Sequence, residues 1–279
     1  MFRKFHIILL FLFCLQNVLA QNPENLKLSE VNTLRSAEPF LFSTSTLTAK
    51  DLSWVLSYSG AYGNNLSRGF GFNGIDQQLG LKGYLGKQFT LLSFVALGIA
   101  SEDNSVASAQ RAEIIRDIVG GKKTDGLRLG IGSGMSRDYG GVFSVVGRFT
   151  AAFEKKRWML GSNFLLEKAL SGDRDKVDVL TSLGVQYKIS ENLYAGAEAI
   201  GEDLEGLWEE DEAEGGARLM FGPSINVIPE RSRFSFSLSG GPAVYLTRSI
   251  VTNSDAIRKL PGDNGMTVRA RVIFDLSGS

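Results

Sequence analysis

The stretch that decides the fold is residues 265–276, GMTVRARVIFDL, in which apolar and polar side chains alternate. Successive side chains of a β-strand point to opposite faces, whereas a helix would repeat every 3.6 residues. The stretch therefore predicts a strand with one apolar face and one largely polar face. The apolar set is Met266, Val268, Ala270, Val272, Phe274 and Leu276, and the polar set is Thr267, Arg269, Arg271 and Asp275.

The same alternation recurs from residue 51 onward, in segments separated by turn-forming residues. The segments are close to the 9–11 residues that a strand needs to cross a bilayer. This pattern predicts an all-β fold, a transmembrane antiparallel up-and-down β-barrel of about 12 strands over residues 51–279. The predicted segments are 52–63, 75–86, 89–100, 107–119, 125–136, 141–153, 157–169, 176–189, 193–203, 214–227, 233–247 and 264–276.

The lengths of the connections support a strand at 107–119, where alternation is weakest and a short helix is the alternative. Bacterial barrels keep one set of turns short and let the other set run long. The short connections near residues 87, 155, 191 and 230 fall on one side only if this segment is counted as a strand. An even number of strands also brings both ends of the barrel to the same side.

The first twenty residues have the features of a secretory signal. Arg3 and Lys4 are basic, an apolar run follows at 7–15, and small or tolerated residues at 18–20 predict cleavage after Ala20. The apolar run is too short to span a bilayer as a helix. Residues 21–50 fit no strand cleanly and are interpreted as a lead-in or a partial plug of the barrel.

Cleavage at that point would remove the only histidine, His6, and the only cysteine, Cys14. We therefore expect no disulfide, no thiolate or imidazole chemistry, no metal site, no cofactor and no enzymatic activity. Removing Arg3 and Lys4 from the 30 basic residues leaves 28, against 30 acidic ones. This balance gives no electrostatic footprint for nucleic acid.

The signal, the cysteine-free remainder, the glycine-rich alternating strands and the alternating connections resemble outer-membrane β-barrel proteins of Gram-negative bacteria, in particular the small porin-like channels. The resemblance is one of pattern and covers residues 51–279. It implies export to the outer membrane, contact with outer-membrane lipid and passive passage of small solutes. It implies no particular oligomeric state.

Charged residues on the predicted inner face are the candidates for lining the lumen. In a conducting barrel they would select solutes by charge. In a closed one they would pair with each other and with water, since an isolated charge in a narrow lumen is costly. Both interpretations stay open at this stage. The candidates are Lys82, Arg128, Arg148, Glu167, Asp178, Lys188, Glu198, Arg218, Arg269, Arg271 and Asp275.

One predicted external connection is strongly acidic and supports an alternative function. Carboxylates at this density attract cations or a basic partner, although their spacing matches no calcium loop. The alternative is a non-conducting structural or surface-interaction barrel whose external loops bind a partner. The acidic residues are Glu205, Glu209, Glu210, Asp211 and Glu212.

Overall fold

The computed structural model describes residues 38–48, 54–66, 70–123, 125–170, 177–207, 217–230, 232–247 and 263–276. The predicted signal lies outside these residues and stays a prediction. The strands are β1 (Trp54–Asn64), β2 (Gly74–Gly86), β3 (Phe89–Ala100), β4 (Val106–Val119), β5 (Gly126–Arg137), β6 (Phe143–Lys155), β7 (Trp158–Ala169), β8 (Asp178–Lys188), β9 (Leu193–Glu202), β10 (Arg218–Val227), β11 (Phe234–Tyr245) and β12 (Gly265–Asp275).

The twelve strands form a closed antiparallel barrel in which each strand pairs with its neighbours along the chain. β1 closes the ring on β12, in a register that runs from Val55 opposite Asp275 to Asn64 opposite Met266. The predicted all-β barrel is confirmed, and so is the strand at 107–119, which is β4. The largest difference in a predicted boundary is at β10, expected from residue 214 and observed from Arg218.

The barrel has one end with short turns and one with longer connections. Lys87 and Gln88 alone join β2 to β3, and both have positive φ, 48° and 69°. This left-handed pair matches the twist of a two-residue hairpin turn. At the opposite end, a 3₁₀ helix, Leu204–Leu207, follows β9. We call these the short-turn end and the long-loop end.

The outer face of the barrel is apolar. Leu97 and Ile131, for example, expose 56% and 55% of their surface. A broad exposed apolar surface is unfavourable in water and suits the hydrocarbon of a bilayer. No helix among the described residues is long and apolar enough to cross a membrane. Further exposed apolar side chains are Leu79, Val95, Ile114, Met135, Val145, Phe149, Phe164, Leu183, Phe221, Ile225, Leu238 and Val268.

The inner face is mostly polar and is filled in part by residues 38–48, which we call the lumen segment. Charged residues with almost no exposed surface, such as Glu113 and Glu198, lie on strands yet face inward. Within the described residues, the lumen segment forms no strand of its own and joins no strand ladder. Its backbone must therefore find hydrogen-bond partners among the side chains of the wall.

Candidate functional site

The backbone of the lumen segment is held by wall side chains. The Glu198 carboxylate accepts hydrogen bonds from the backbone N–H groups of Leu41 and Phe42, at 2.8 and 2.9 Å. The Asn163 side chain accepts from the Thr44 N–H and donates to the Thr44 carbonyl oxygen, both at 2.8 Å. A side-chain amide with this pairing acts as a short piece of β-ladder, so these bonds replace the strand pairing that the segment lacks.

The same segment is anchored at the short-turn end by two further hydrogen bonds. The Leu47 N–H donates to the Thr90 hydroxyl at 3.1 Å. The Thr46 hydroxyl lies 2.7 and 2.9 Å from the two oxygens of the buried Asp117 carboxylate. The segment thus has contacts on opposite walls, since Asn163 and Glu198 lie on β7 and β9 whereas Thr90 and Asp117 lie on β3 and β4.

Phe40 and Leu47 are the apolar anchors of the lumen segment. The Phe40 ring covers the cross-strand pair Gly161 and Gly184. A Cβ atom at either glycine would lie 2.7 or 2.3 Å from the ring, which is closer than side chains pack. Their missing side chains therefore create the space that Phe40 occupies. Met159, Tyr194 and Ile228 complete the Phe40 cluster, and Val55, Ile273 and Tyr84 pack with Leu47.

Glu38 is the ionic anchor of the segment. One carboxylate oxygen accepts from Lys82 Nζ at 3.1 Å, and the other accepts from Arg271 Nη1 at 3.0 Å. Arg271 Nη2 also donates to the carbonyl oxygens of Glu38 and Phe40. Burial alone would raise the pKa of Glu38, but the charges of Lys82 and Arg271 outweigh it and lower the pKa from 4.5 to about 2. Glu38 is therefore a carboxylate at neutral pH.

A cavity of about 270 Å³ extends from the lumen segment toward the long-loop end. Leu41, Phe42 and Thr44 of the segment line one side, and Phe70 and Tyr139 of the long connections line the other. Apolar side chains such as Phe94, Leu165 and Ile200 form part of its walls, and charged ones are also frequent. The charged lining residues are Glu38, Asp76, Lys82, Arg111, Arg137, Asp138, Arg148, Glu167, Arg269 and Arg271.

Around this cavity, arginines pair with carboxylates of the wall itself. Arg148 donates to both Glu113 oxygens, from Nε at 2.6 Å and from Nη2 at 2.8 Å. Arg111 Nη2 donates to Glu167 at 3.1 Å. The Arg148–Glu113 pair is bidentate, and charge-assisted pairs of this kind are strong and geometrically specific. The two pairs link β4 to the nearby strands β6 and β7 and hold these charged side chains in place.

A third wall pair lies nearer the long-loop end. Arg269 Nη2 donates to Asp76 at 3.0 Å, and the Tyr139 hydroxyl donates to the other Asp76 oxygen at 2.8 Å. Burial and the nearby Asp76 charge raise the pKa of Tyr139, so its hydroxyl stays protonated and remains a donor. Phe72 packs against Tyr139 with ring centroids 4.6 Å apart. This connection is thereby fixed over the cavity.

The structure divides the lumen residues predicted from the sequence into three groups by location. Lys82, Arg148, Glu167, Glu198, Arg269 and Arg271 come together around the lumen segment and the cavity. Arg128 lies at the short-turn end, where it pairs with Glu154 at 2.6 Å. The others lie at the ends of strands: Lys188 next to Glu191, Asp275 at the end of β12, Asp178 opposite Glu167, and Arg218 between the rings of Phe70 and Tyr245.

Several charged residues of the lumen were missed by sequence analysis. Arg111 and Glu113 lie on β4, where the adjacent Ile114 and Ile115 break the alternation, because Ile115 packs inward with no exposed surface. Side chains an even number of residues apart on a strand share a face. Assigning Asp117 to the inner face would therefore also have assigned Glu113 to it. Glu38 lies outside the strands, and nothing in its sequence context signals a lumen contact. The missed set is Glu38, Asp76, Arg111, Glu113, Asp117 and Glu154.

The predicted acidic loop is mostly outside the described residues. Only Glu205 falls within them, in the 3₁₀ helix after β9, whereas Glu209, Glu210, Asp211 and Glu212 do not. Its role as a partner-binding surface stays a prediction.

A closed barrel with an apolar exterior and a charged interior is the fold of outer-membrane β-barrel proteins. Solved structures of such proteins are similar to this chain. An outer-membrane channel from Pseudomonas putida F1 is similar, with a TM-score of 0.54, 11% identity, and coverage of 85% of this chain and 98% of that one. A NanC porin has a TM-score of 0.53 and 11% identity over 79% of this chain and 100% of that one.

A KdgM porin in complex with disordered oligogalacturonate has a TM-score of 0.53 and 8% identity, covering 80% of this chain and 99% of that one. Identities this low establish a shared fold and nothing about shared chemistry. No protein-family model and no curated protein sequence matches the chain.

Proposed function

We propose that the protein is an outer-membrane channel for small solutes whose lumen, in the conformation described, is occupied by residues 38–48. The observation that carries this proposal is a charged cavity of about 270 Å³ enclosed by a barrel with an apolar exterior. A barrel that served only as a scaffold would gain more by filling its interior with apolar side chains, because buried charges are poor sources of stability. A cavity with many charged lining residues suits hydrated solutes instead.

The way the lumen segment is attached supports a pathway that opens. Its anchors are side-chain hydrogen bonds, the Phe40 contact and the Glu38 ion pairs. None of the described residues of the segment joins a strand ladder, so it can leave without breaking the barrel. Channel opening would then be a local event, with a free energy well below that of unfolding.

A second function is favoured by a specific observation and belongs to a different class. The arginines beside the cavity are already paired with wall carboxylates, Arg148 with Glu113 and Arg111 with Glu167. A lumen with satisfied charges and a docked segment is what a non-conducting barrel would have. Its role would then lie in surface interaction through the external loops.

Single-channel conductance in planar bilayers separates the two. The comparison is between the unaltered protein and a variant in which residues 38–48 are replaced by a glycine-serine sequence of equal length. Heat-modifiable gel mobility confirms that each barrel has folded. We expect brief, small steps from the unaltered protein and long, larger steps from the variant, because the segment fills part of the lumen. A folded variant that stays silent contradicts the channel and supports the non-conducting barrel.

A further inference from the structure

We infer that Lys82 and Arg271 form a binding site for the carboxylate of a small organic anion, and that Glu38 occupies this site in the conformation described. The inference rests on the proposed channel function and deepens it by naming a class of solute. The geometry of the two cations, the charge balance of the wall and the position of the cavity each point to it.

The two cations hold one carboxylate from two directions. Lys82 lies on β2 and Arg271 on β12, on either side of β1. Lys82 Nζ is 3.1 Å from Oε1 of Glu38 and Arg271 Nη1 is 3.0 Å from Oε2, so each oxygen has its own cation. The Thr44 hydroxyl adds a bond of 3.0 Å to Oε1. A charged donor for each oxygen is the arrangement that recognises a carboxylate.

The charge balance of the wall distinguishes this pair from the other lumen cations. Arg148, Arg111, Arg269 and Arg128 each pair with a carboxylate of another strand. Lys82 and Arg271 have, among the described residues, no carboxylate of the barrel wall within 4.0 Å, and their partner Glu38 belongs to the lumen segment.

This difference couples the segment to an anion. If the segment leaves, two cations that are nearly buried while it is docked lose their counter-ion, and an anion that replaces it regains the ion pairs. A solute carboxylate would restore the lost ion pairs and stabilise the open lumen. The anion therefore binds as Glu38 is released, and the two compete for Lys82 and Arg271. A neutral solute of the same size would form no ion pair with these residues and would not favour the release.

The site can be reached from the cavity. Glu38, Lys82 and Arg271 all line it, and Arg148 lines the same cavity, joined to Lys82 through Asn163 and Thr44. A volume of about 270 Å³ is near the lower limit of roughly 300 Å³ for small-molecule pockets. The cavity beside the docked segment therefore has room for the chain of a small organic anion whose carboxylate takes the place of the Glu38 carboxylate.

The test uses gluconate as the probe and sorbitol as its neutral counterpart of equal chain length. Glu38→Gln removes the competing charge and keeps the shape of the side chain. We expect gluconate to interrupt the current of this variant at concentrations at least about tenfold lower than in the unaltered channel, because charged hydrogen bonds are roughly twice as strong as neutral ones. Sorbitol should not distinguish the two. Adding Lys82→Gln and Arg271→Gln to Glu38→Gln should abolish the effect of gluconate.

Glu191→Gln is the matched control, since it removes the same charge from a side chain that is 76% exposed at the short-turn end. It should leave the response to gluconate unchanged. If Glu38→Gln conducts and gluconate acts no more strongly than sorbitol, the anion site is wrong and the channel stands.

If no variant conducts, the channel is wrong, and calorimetry in detergent decides the site separately. Binding of gluconate to folded Glu38→Gln, lost on adding Lys82→Gln and Arg271→Gln, would retain the site in a non-conducting barrel. Absence of binding would overturn it.

Discussion

The two halves of the lumen neutralise their charges in different ways. In the long-loop half, the wall pairs with itself: Arg148 with Glu113, and Arg269 with Asp76. Toward the short-turn half, Arg128 still pairs with Glu154 of the wall, but Lys82 and Arg271 depend on Glu38, a residue of the lumen segment. The first arrangement is part of the barrel and persists as long as the barrel is folded. The second can be undone while the barrel stays intact.

The comparison indicates where the molecule is rigid and where it has two states. Wall-to-wall pairs link strands that already share a ladder or lie close by, so they stabilise one structure. A segment held by side chains has its own, smaller free energy of docking. We expect substitutions in the long-loop half to change barrel stability, and substitutions around the lumen segment to change its occupancy.

The largest effect on stability is expected from Arg148→Met. Glu113, whose side chain has no exposed surface, would keep only Arg111 at 3.7 Å. Removing one partner of a buried ion pair costs about 3–5 kcal/mol, because the other charge is left uncompensated. Urea unfolding in lipid vesicles, followed by tryptophan fluorescence, measures the change. Adding Glu113→Gln should recover part of the loss, and a change below about 1 kcal/mol would mean that the wall pairs do not fix the barrel.

The next effect should appear in the docking of the lumen segment. Gly184→Ala places a Cβ atom 2.3 Å from the Phe40 ring, whose other neighbours include Gly161 and Tyr194. Overpacking of this kind costs about 1–3 kcal/mol. The readout is the rate at which a maleimide labels Ser45→Cys in a Cys14→Ser background, which has no other cysteine.

We expect that rate to rise roughly tenfold or more, since 1.4 kcal/mol corresponds to a factor of ten. Gly147→Ala is the matched control, because a Cβ atom there meets nothing within 4 Å. Phe40→Leu in the Gly184→Ala background should lower the labelling rate again. Equal rates for both glycine variants would show that Phe40 is not an anchor.

Sequence alternation predicts the barrel because the relevant signal is local. Each strand contains its own period of two, and parity along β12 already assigns Arg269 and Arg271 to the inner face. The alternation weakens where an apolar side chain turns inward, as at Ile115 and Ile273, which pack in the lumen. The connection lengths then decide the strand count.

The sequence suggested a lead-in or partial plug within residues 21–50, but the contacts of the lumen segment could not be predicted, because its partners are distant in the sequence. Leu41 bonds to a carboxylate 157 residues away, and Glu38 pairs with Arg271, 233 residues away. The only signal of the Phe40 site in the strand sequences is the pair of glycines at 161 and 184. This signal is ambiguous, because glycine in a strand of a small barrel can also serve to relieve curvature. Glu38 can pair with both Lys82 and Arg271 because closure of the barrel places β2 and β12 on either side of β1, which the sequence does not show.

A small effect on barrel stability is expected from an ion pair at the short-turn end, outside the lumen. Lys188 pairs with Glu191 at 2.7 Å, but the Glu191 side chain is 76% exposed. Exposed ion pairs contribute at most about 1 kcal/mol, because water and salt screen them. Lys188→Gln should shift the urea midpoint far less than Arg148→Met. A comparable loss would mean that position in the lumen does not govern the strength of these pairs.

The smallest effect is the one expected on mild acidification. Because the pKa of Glu38 is lowered from 4.5 to about 2, its ion pairs stabilise the docked segment fully above pH 4.5 and are lost only as pH falls toward 2. Labelling of Ser45→Cys, corrected for the reactivity of a model thiol, should therefore be unchanged between about pH 7 and about pH 5. In the Glu38→Gln variant the same rate should be higher throughout and equally flat. If the labelling rate of the protein with Glu38 rose between these pH values, another titrating group would control docking of the segment. The two halves of the lumen would then differ for a reason other than the counter-ion of Lys82 and Arg271.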